Sequence, residues 1–249
     1  MSEIIQETTK LMQTLNELPQ ETSKSVQALN ELFLRKRLRE KIFSFYIKPA
    51  TRVLYYKEAA LYDVYRCLTN PNVAGRETAI LRSLTDKTQR AEFKRNNFPY
   101  CTFSGRFGET RKNDALQQHS SLMCLDFDHL SDPDAVKRIL LADAELITLL
   151  LFVSPSGNGL KWVVYIDLEQ ADHLVWFEAI KNYLSATYQL EVDPACKNVA
   201  RACFVPYDPK AYIAPELLPE MQPMLQVNPA LDEMMDIVKP INITVKNER

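Results

Sequence analysis

The sequence predicts an α+β fold with a helical arm in front of it. Three observations carry this expectation. The second half alternates short apolar runs with helix-period segments, the first half mixes one alternating strand with helical stretches, and no internal repeat organises either half. The 249 residues are enough to bury a real core, and a composition of 46% hydrophobic and 25% charged residues is that of an ordinary globular chain. The longest apolar run, from Leu146 to Val153, is interrupted by Thr148 and is too short to span a bilayer, so no membrane partner is expected. Five cysteines without a C-x-x-C pair argue against a disulfide framework or a zinc site, and the start of the chain carries no secretory pattern. A cytoplasmic location is the expectation. The formal net charge of -2 offers no overall attraction to nucleic acid, so any such contact must come from a local patch.

Along the chain, residues 3–18 place Ile4, Ile5, Leu11, Met12, Leu15 and Leu18 at helical spacing, and Pro19 ends that helix. A second helix, capped by Ser23, runs into the basic cluster Arg35 to Arg39. Residues 1–40 are thus read as a helical arm. Lys41 to Lys48 alternates as a strand, and helices are expected over about 57–69 and 76–95. Between Arg76 and Lys112 nine basic residues face four acidic ones, a local excess of five. This is the candidate nucleic-acid surface, with Arg82, Lys94, Arg95 and Arg106 as its contacts. Phe98 to Phe107 reads as a strand closing in a glycine turn.

The second half reads strand (122–128), helix (from Ser131-Asp132-Pro133 to about Asp143), strand (146–153), strand (160–167), helix (171–188) and strand (199–205). The order βαββαβ is that of ferredoxin-like and RNA-recognition modules. It places the first strand in the middle of the sheet, flanked by the third and fourth. Residues 41–115 and 116–212 are read as two modules of one domain, and 213–249 as a short helix and a tail.

Three motifs carry the chemistry. In Leu125-Asp126-Phe127-Asp128 the two carboxylates point to one face of a strand. They repel each other unless a cation intervenes, and hard oxygen ligands suit Mg²⁺ or Mn²⁺. Removing both should therefore raise metal-free stability. The same pattern also marks a strand simply running into solvent. Ser154-Pro155-Ser156-Gly157-Asn158-Gly159-Leu160-Lys161 is a hairpin turn, and its exposed N–H groups can approach phosphate with Lys161 as a nearby charge. Val192-Asp193-Pro194 and Arg201 come last; each taken singly is a turn and a surface arginine. The predicted sheet puts Asp126, Asp128, Lys161 and Arg201 on one open face. Met123, Leu125, Phe127, Trp162, Val164 and Ile166 then lie under helices.

These motifs, in this order, resemble those of the archaeo-eukaryotic primase (primase-polymerase) superfamily. More narrowly they are similar to VirE N-terminal-type domains of bacterial mobile elements, as is the stretch from Lys94 to Phe107. The resemblance covers about 41–212. It implies a primase-polymerase-like fold, an α/β module packed on the βαββαβ module. It also implies two-metal nucleotidyl transfer from a nucleoside triphosphate in mobile-element replication, on single-stranded DNA or RNA and with a helicase as possible partner. Asp126, Asp128 and Asp193 would be catalytic metal ligands for Mg²⁺ or Mn²⁺. Ser156, Gly157, Gly159, Lys161 and Arg201 would bind the nucleotide. The chain carries Lys161 where many members have His. Three alternatives stand beside this: a glycosyltransferase that uses the Asp126–Asp128 pair for a nucleotide sugar, a catalytically inactive member of the fold that binds nucleic acid or protein, and an RNA-recognition module. The last would expose Trp162 and hide Lys161.

Overall fold

The structure is a computed structural model, and it describes residues 36–107 and 110–219. The expected helices over 3–18 and after Ser23, and the tail from residue 220, lie outside the described residues. The described residues from Lys41 to Pro219 belong to one compact unit.

The unit is α+β, with antiparallel pairing in every sheet. In the first half, β1 (Phe43–Ile47) pairs with β2 (Leu54–Ala59), where a helix was expected from residue 57. Leu54-Tyr55-Tyr56 is rich in strand-favouring aromatics, and α1 (Leu61–Thr69) begins only at Ala60, whose N–H donates to the Asp63 carboxylate. The expected helix over 76–95 is two helices, α2 (Pro71–Ser83) and α3 (Lys87–Asn97). Leu84 is extended and Asp86 accepts from the Gln89 N–H, so Asp86 starts a new helix instead of continuing the old one. Then come β3 (Tyr100–Thr102), β4 (Gly105–Arg106) and β5 (Gln118–His119).

The second half follows the expected elements closely: β6 (Leu122–Phe127), α4 (Pro133–Leu141), β7 (Thr148–Val153), β8 (Leu160–Tyr165) and α5 (His173–Tyr188). Asp132 and Asp172 cap the two helices by accepting from Ala135 N–H and Val175 N–H. Met123, Leu125, Phe127, Trp162, Val164 and Ile166 form one buried core with Phe177, Ile180 and Leu184 of α5, as the alternation requires. Trp162 is fully buried and its Nε1 donates to Thr148 Oγ1 at 2.7 Å. That is the opposite of what the RNA-recognition alternative needs.

The sheet order differs from the expected one. It runs β6-β8-β7-β10, where β10 is Tyr212–Ile213, so β6 lies at an edge and not in the middle. The expected last strand, 199–205, reduces to β9 (Cys203–Phe204) and joins β3, completing the sheet β2-β1-β3-β9. A single backbone bond, Asp193 N–H to Asp126 O at 2.9 Å, stands where a full ladder was expected. Pro194 has no N–H to extend it, and residues 194–197 turn into a short 3₁₀ helix. No helix among the described residues is long and apolar enough to cross a membrane.

Candidate functional site

Asp126 and Lys161 are direct cross-strand partners on β6 and β8. Their side chains leave the sheet on the face opposite the helices. There they form an ion pair at Asp126 Oδ2, which also accepts from Arg201 Nη2 at 2.6 Å and Arg201 Nε at 3.1 Å. Arg201 Nη2 reaches Asp193 Oδ2 at 2.5 Å. The Asp126 backbone N–H is met by Cys196 Sγ at 3.2 Å. Asp126 is 2% exposed, so the network is buried at its centre.

The electrostatics follow from this packing. Burial is the largest single influence on Lys161 and Arg201 and lowers their pKa values, but the Asp126 carboxylate and the other groups around them together outweigh it, so both are raised and each stays charged. Burial pushes Asp193 up, yet the Ala195 N–H and the Arg201 guanidinium hold it below the ordinary carboxylate range. Burial pushes the Cys196 thiol up to about 12, leaving it a neutral thiol. Cys124, whose Sγ lies 3.8 Å from Cys203 Sγ, lines the same cleft with Phe103, Ser104 and Asn198.

The Gly turn is held from behind. Ser154 N–H donates to Gly159 O at 2.8 Å and Gly157 N–H to Ser154 O at 2.9 Å, while Gly157 takes φ +88°. Arg82 of α2 donates to Pro155 O at 3.3 Å and Ser154 O at 3.4 Å, and Arg90 of α3 donates to Ser156 O at 3.4 Å. Ser156 Oγ lies 2.9 Å from Ser154 Oγ and donates to Asn158 Oδ1. A Cβ on Gly159 would stand 2.4 Å from Phe127 O and 3.4 Å from Asp128 Oδ1, so this glycine lets the turn close on the end of β6.

The structure therefore brings Asp126, Asp193, Lys161 and Arg201 together, with the Gly157–Gly159 turn and the exposed Asp128 alongside. It does not place Arg82 and Arg106 as free contacts. Arg82 braces the turn, and Arg106 pairs with Glu58 at 3.1 Å and donates to Lys41 O. Arg95 is exposed, and Lys94 lies beside the network. Sequence reasoning missed Arg90, Cys196 and Arg111, whose Nη1 donates to Ala200 O at 2.8 Å next to Arg201. All three act through backbone atoms of distant segments, a relation that leaves no pattern in the chain.

Among the described residues no group of three or more His, Cys, Asp or Glu side chains is placed to hold a metal ion. Mg²⁺ and Mn²⁺ require anionic oxygens with room for water. Here the Asp126 oxygen that faces the cleft already carries two side-chain cations, and Asp193 shares one of them. As arranged, this donor set does not fit a two-ion centre.

One family model, described as BT4734-like, N-terminal domain, matches residues 92–213. The match is just under half the chain and runs from α3 through β10, including every member of the Asp126 network. No curated protein and no solved structure gives a significant match.

Proposed function

We propose that residues 41–212 are a nucleotide-binding domain of the primase-polymerase type. Its ligands are the phosphates of a nucleoside triphosphate and single-stranded nucleic acid. One observation carries the reading: Asp126, Lys161, Asp193 and Arg201, from four separate segments, converge on one buried network beside a glycine turn. Those residues belong to the three motifs on which the resemblance rests. A purely structural ion pair would explain the burial. It would not explain why a turn closed by two glycines, with Asp128 exposed at its side, abuts the same network.

The charge balance favours binding over transfer. Asp126 and Asp193 are compensated by side chains, so a divalent ion would have to displace Lys161 or Arg201 to be bound there. The second reading is nucleotidyl transfer with Mg²⁺ or Mn²⁺. Asp128 favours it, an exposed carboxylate two residues from Asp126. The roles we assign lie in mobile-element replication in the cytoplasm, with a helicase as the companion activity.

The test pairs equilibrium binding of nucleoside triphosphate in chelator with primer synthesis on single-stranded DNA, using Mn²⁺ and all triphosphates. Binding without synthesis supports the first reading. Synthesis that is lost in Asp128→Ala establishes the second. Failure to bind triphosphate or single strand under either condition rejects both.

A further inference from the structure

Three cations bear on the network, and two are already matched. Lys161 is paired with Asp126, and Arg201 with Asp126 and Asp193. An incoming phosphate would have to compete with a buried carboxylate for either of them. The third is Lys94 on α3. Its ammonium sits 5.6 Å from the centre of the Phe204 ring and, among the described residues, makes no ion pair or hydrogen bond. It nevertheless lies within the field of Lys161, Asp128, Asp126 and Arg201.

The helix explains why Lys94 points here. Arg90 and Lys94 are four residues apart and share one face of α3. Arg90 is fixed on Ser156 O, so the next turn of the same face lies along the glycine turn and the network. We propose that Lys94 is the residue that contacts the ligand's phosphate, while Lys161 and Arg201 hold the site together. The inference rests on the phosphate-binding reading above and moves the triphosphate contact from the three motifs to Lys94, which the sequence assigned to the nucleic-acid surface. Burial and the neighbouring Lys161 charge lower the Lys94 pKa, as expected of a cation short of a counter-ion. The phosphate source favoured by position is a triphosphate, because the glycine turn is on the same side.

The experiment titrates the full chain with two probes, inorganic tripolyphosphate and an oligothymidylate single strand. The variants are Lys94→Met, Lys94→Gln and Lys94→Arg, each checked for an unchanged melting temperature. Losing one charge-assisted contact should weaken tripolyphosphate roughly ten- to a hundredfold in the Met and Gln variants, and Lys94→Arg should keep most of the affinity. An unchanged oligothymidylate affinity identifies the triphosphate as the source. A loss confined to oligothymidylate overturns that assignment in favour of the strand backbone. Wild-type binding with no loss of either probe in Lys94→Met and Lys94→Gln overturns the role of Lys94 alone. A wild type that binds neither probe overturns the phosphate-binding reading itself, and this inference with it.

Discussion

Replacing Asp126 by Asn tests the network directly. The substitution keeps shape and removes one charge from a carboxylate that is 2% exposed. Lys161 and Arg201, with side chains 13% and 27% exposed, are left as two neighbouring cations, and only Arg201 keeps an acidic partner, Asp193. Breaking a buried pair by removing one partner costs about 3–5 kcal/mol, because the surviving charge keeps its desolvation penalty. For a chain of this size that corresponds to a fall in melting temperature of roughly 6–20 °C. Lys161→Met is milder, at about 1.5–3 kcal/mol, because Arg201 still donates twice to Asp126. In the double variant Asp126→Asn/Lys161→Met one stranded cation is gone, so its cost should be less than the sum of the two singles. The assay is urea unfolding of all four proteins in metal-free buffer, followed by circular dichroism. A stability of Asp126→Asn within about 1 kcal/mol of wild type would refute the reasoning, since surface-like sites behave that way. A rise in stability would restore the expectation that Asp126 and Asp128 simply repel each other.

Other consequences follow from the same geometry. Arg82→Met should loosen the glycine turn, read as faster amide exchange at Gly157, with protection of the β6–β8 ladder unchanged. Gly157→Ala should cost roughly 1–2 kcal/mol for the left-handed backbone, and Gly159→Ala should cost more, because its Cβ would meet Phe127 O at 2.4 Å; equal costs in urea unfolding would count against the close approach. His119 Nδ1 accepts from Ser121 N–H, so His119 Nε2 carries the proton that faces His173 Nδ1 at 3.1 Å. Burial lowers the His173 pKa, so the unfolded chain takes up the proton first on acidification. Stability should therefore fall as pH drops below about 6.5, by at most about 1.4 kcal/mol per pH unit, until the folded-state pKa is passed. His173→Gln should flatten that slope; an unchanged slope would place the titration elsewhere.

Alternation in Leu122–Phe127 and Leu160–Tyr165 was enough to assign faces, because a strand has a period of two and one face must be apolar. Hence the burial of Trp162 and the shared face of Asp126 and Lys161 were legible in the chain, as were α4 and α5. Boundaries in the first half were less so. The aromatic run that makes β2 and the Asp86 cap that divides α2 from α3 are local signals, but they are weaker than the helical periodicity around them. What no local pattern could decide was the destination of residues 199–205. A two-residue strand can pair with any free edge, and Pro194 directs the chain away from β6 to β3. Arg201 still reaches Asp126, because a long side chain spans the gap that the missing ladder leaves. The identity of the charged residues was thus written in the sequence. Which of them neutralise one another, and which one is left over, depends on distances between segments far apart in the chain, and only the packed tertiary structure sets those distances.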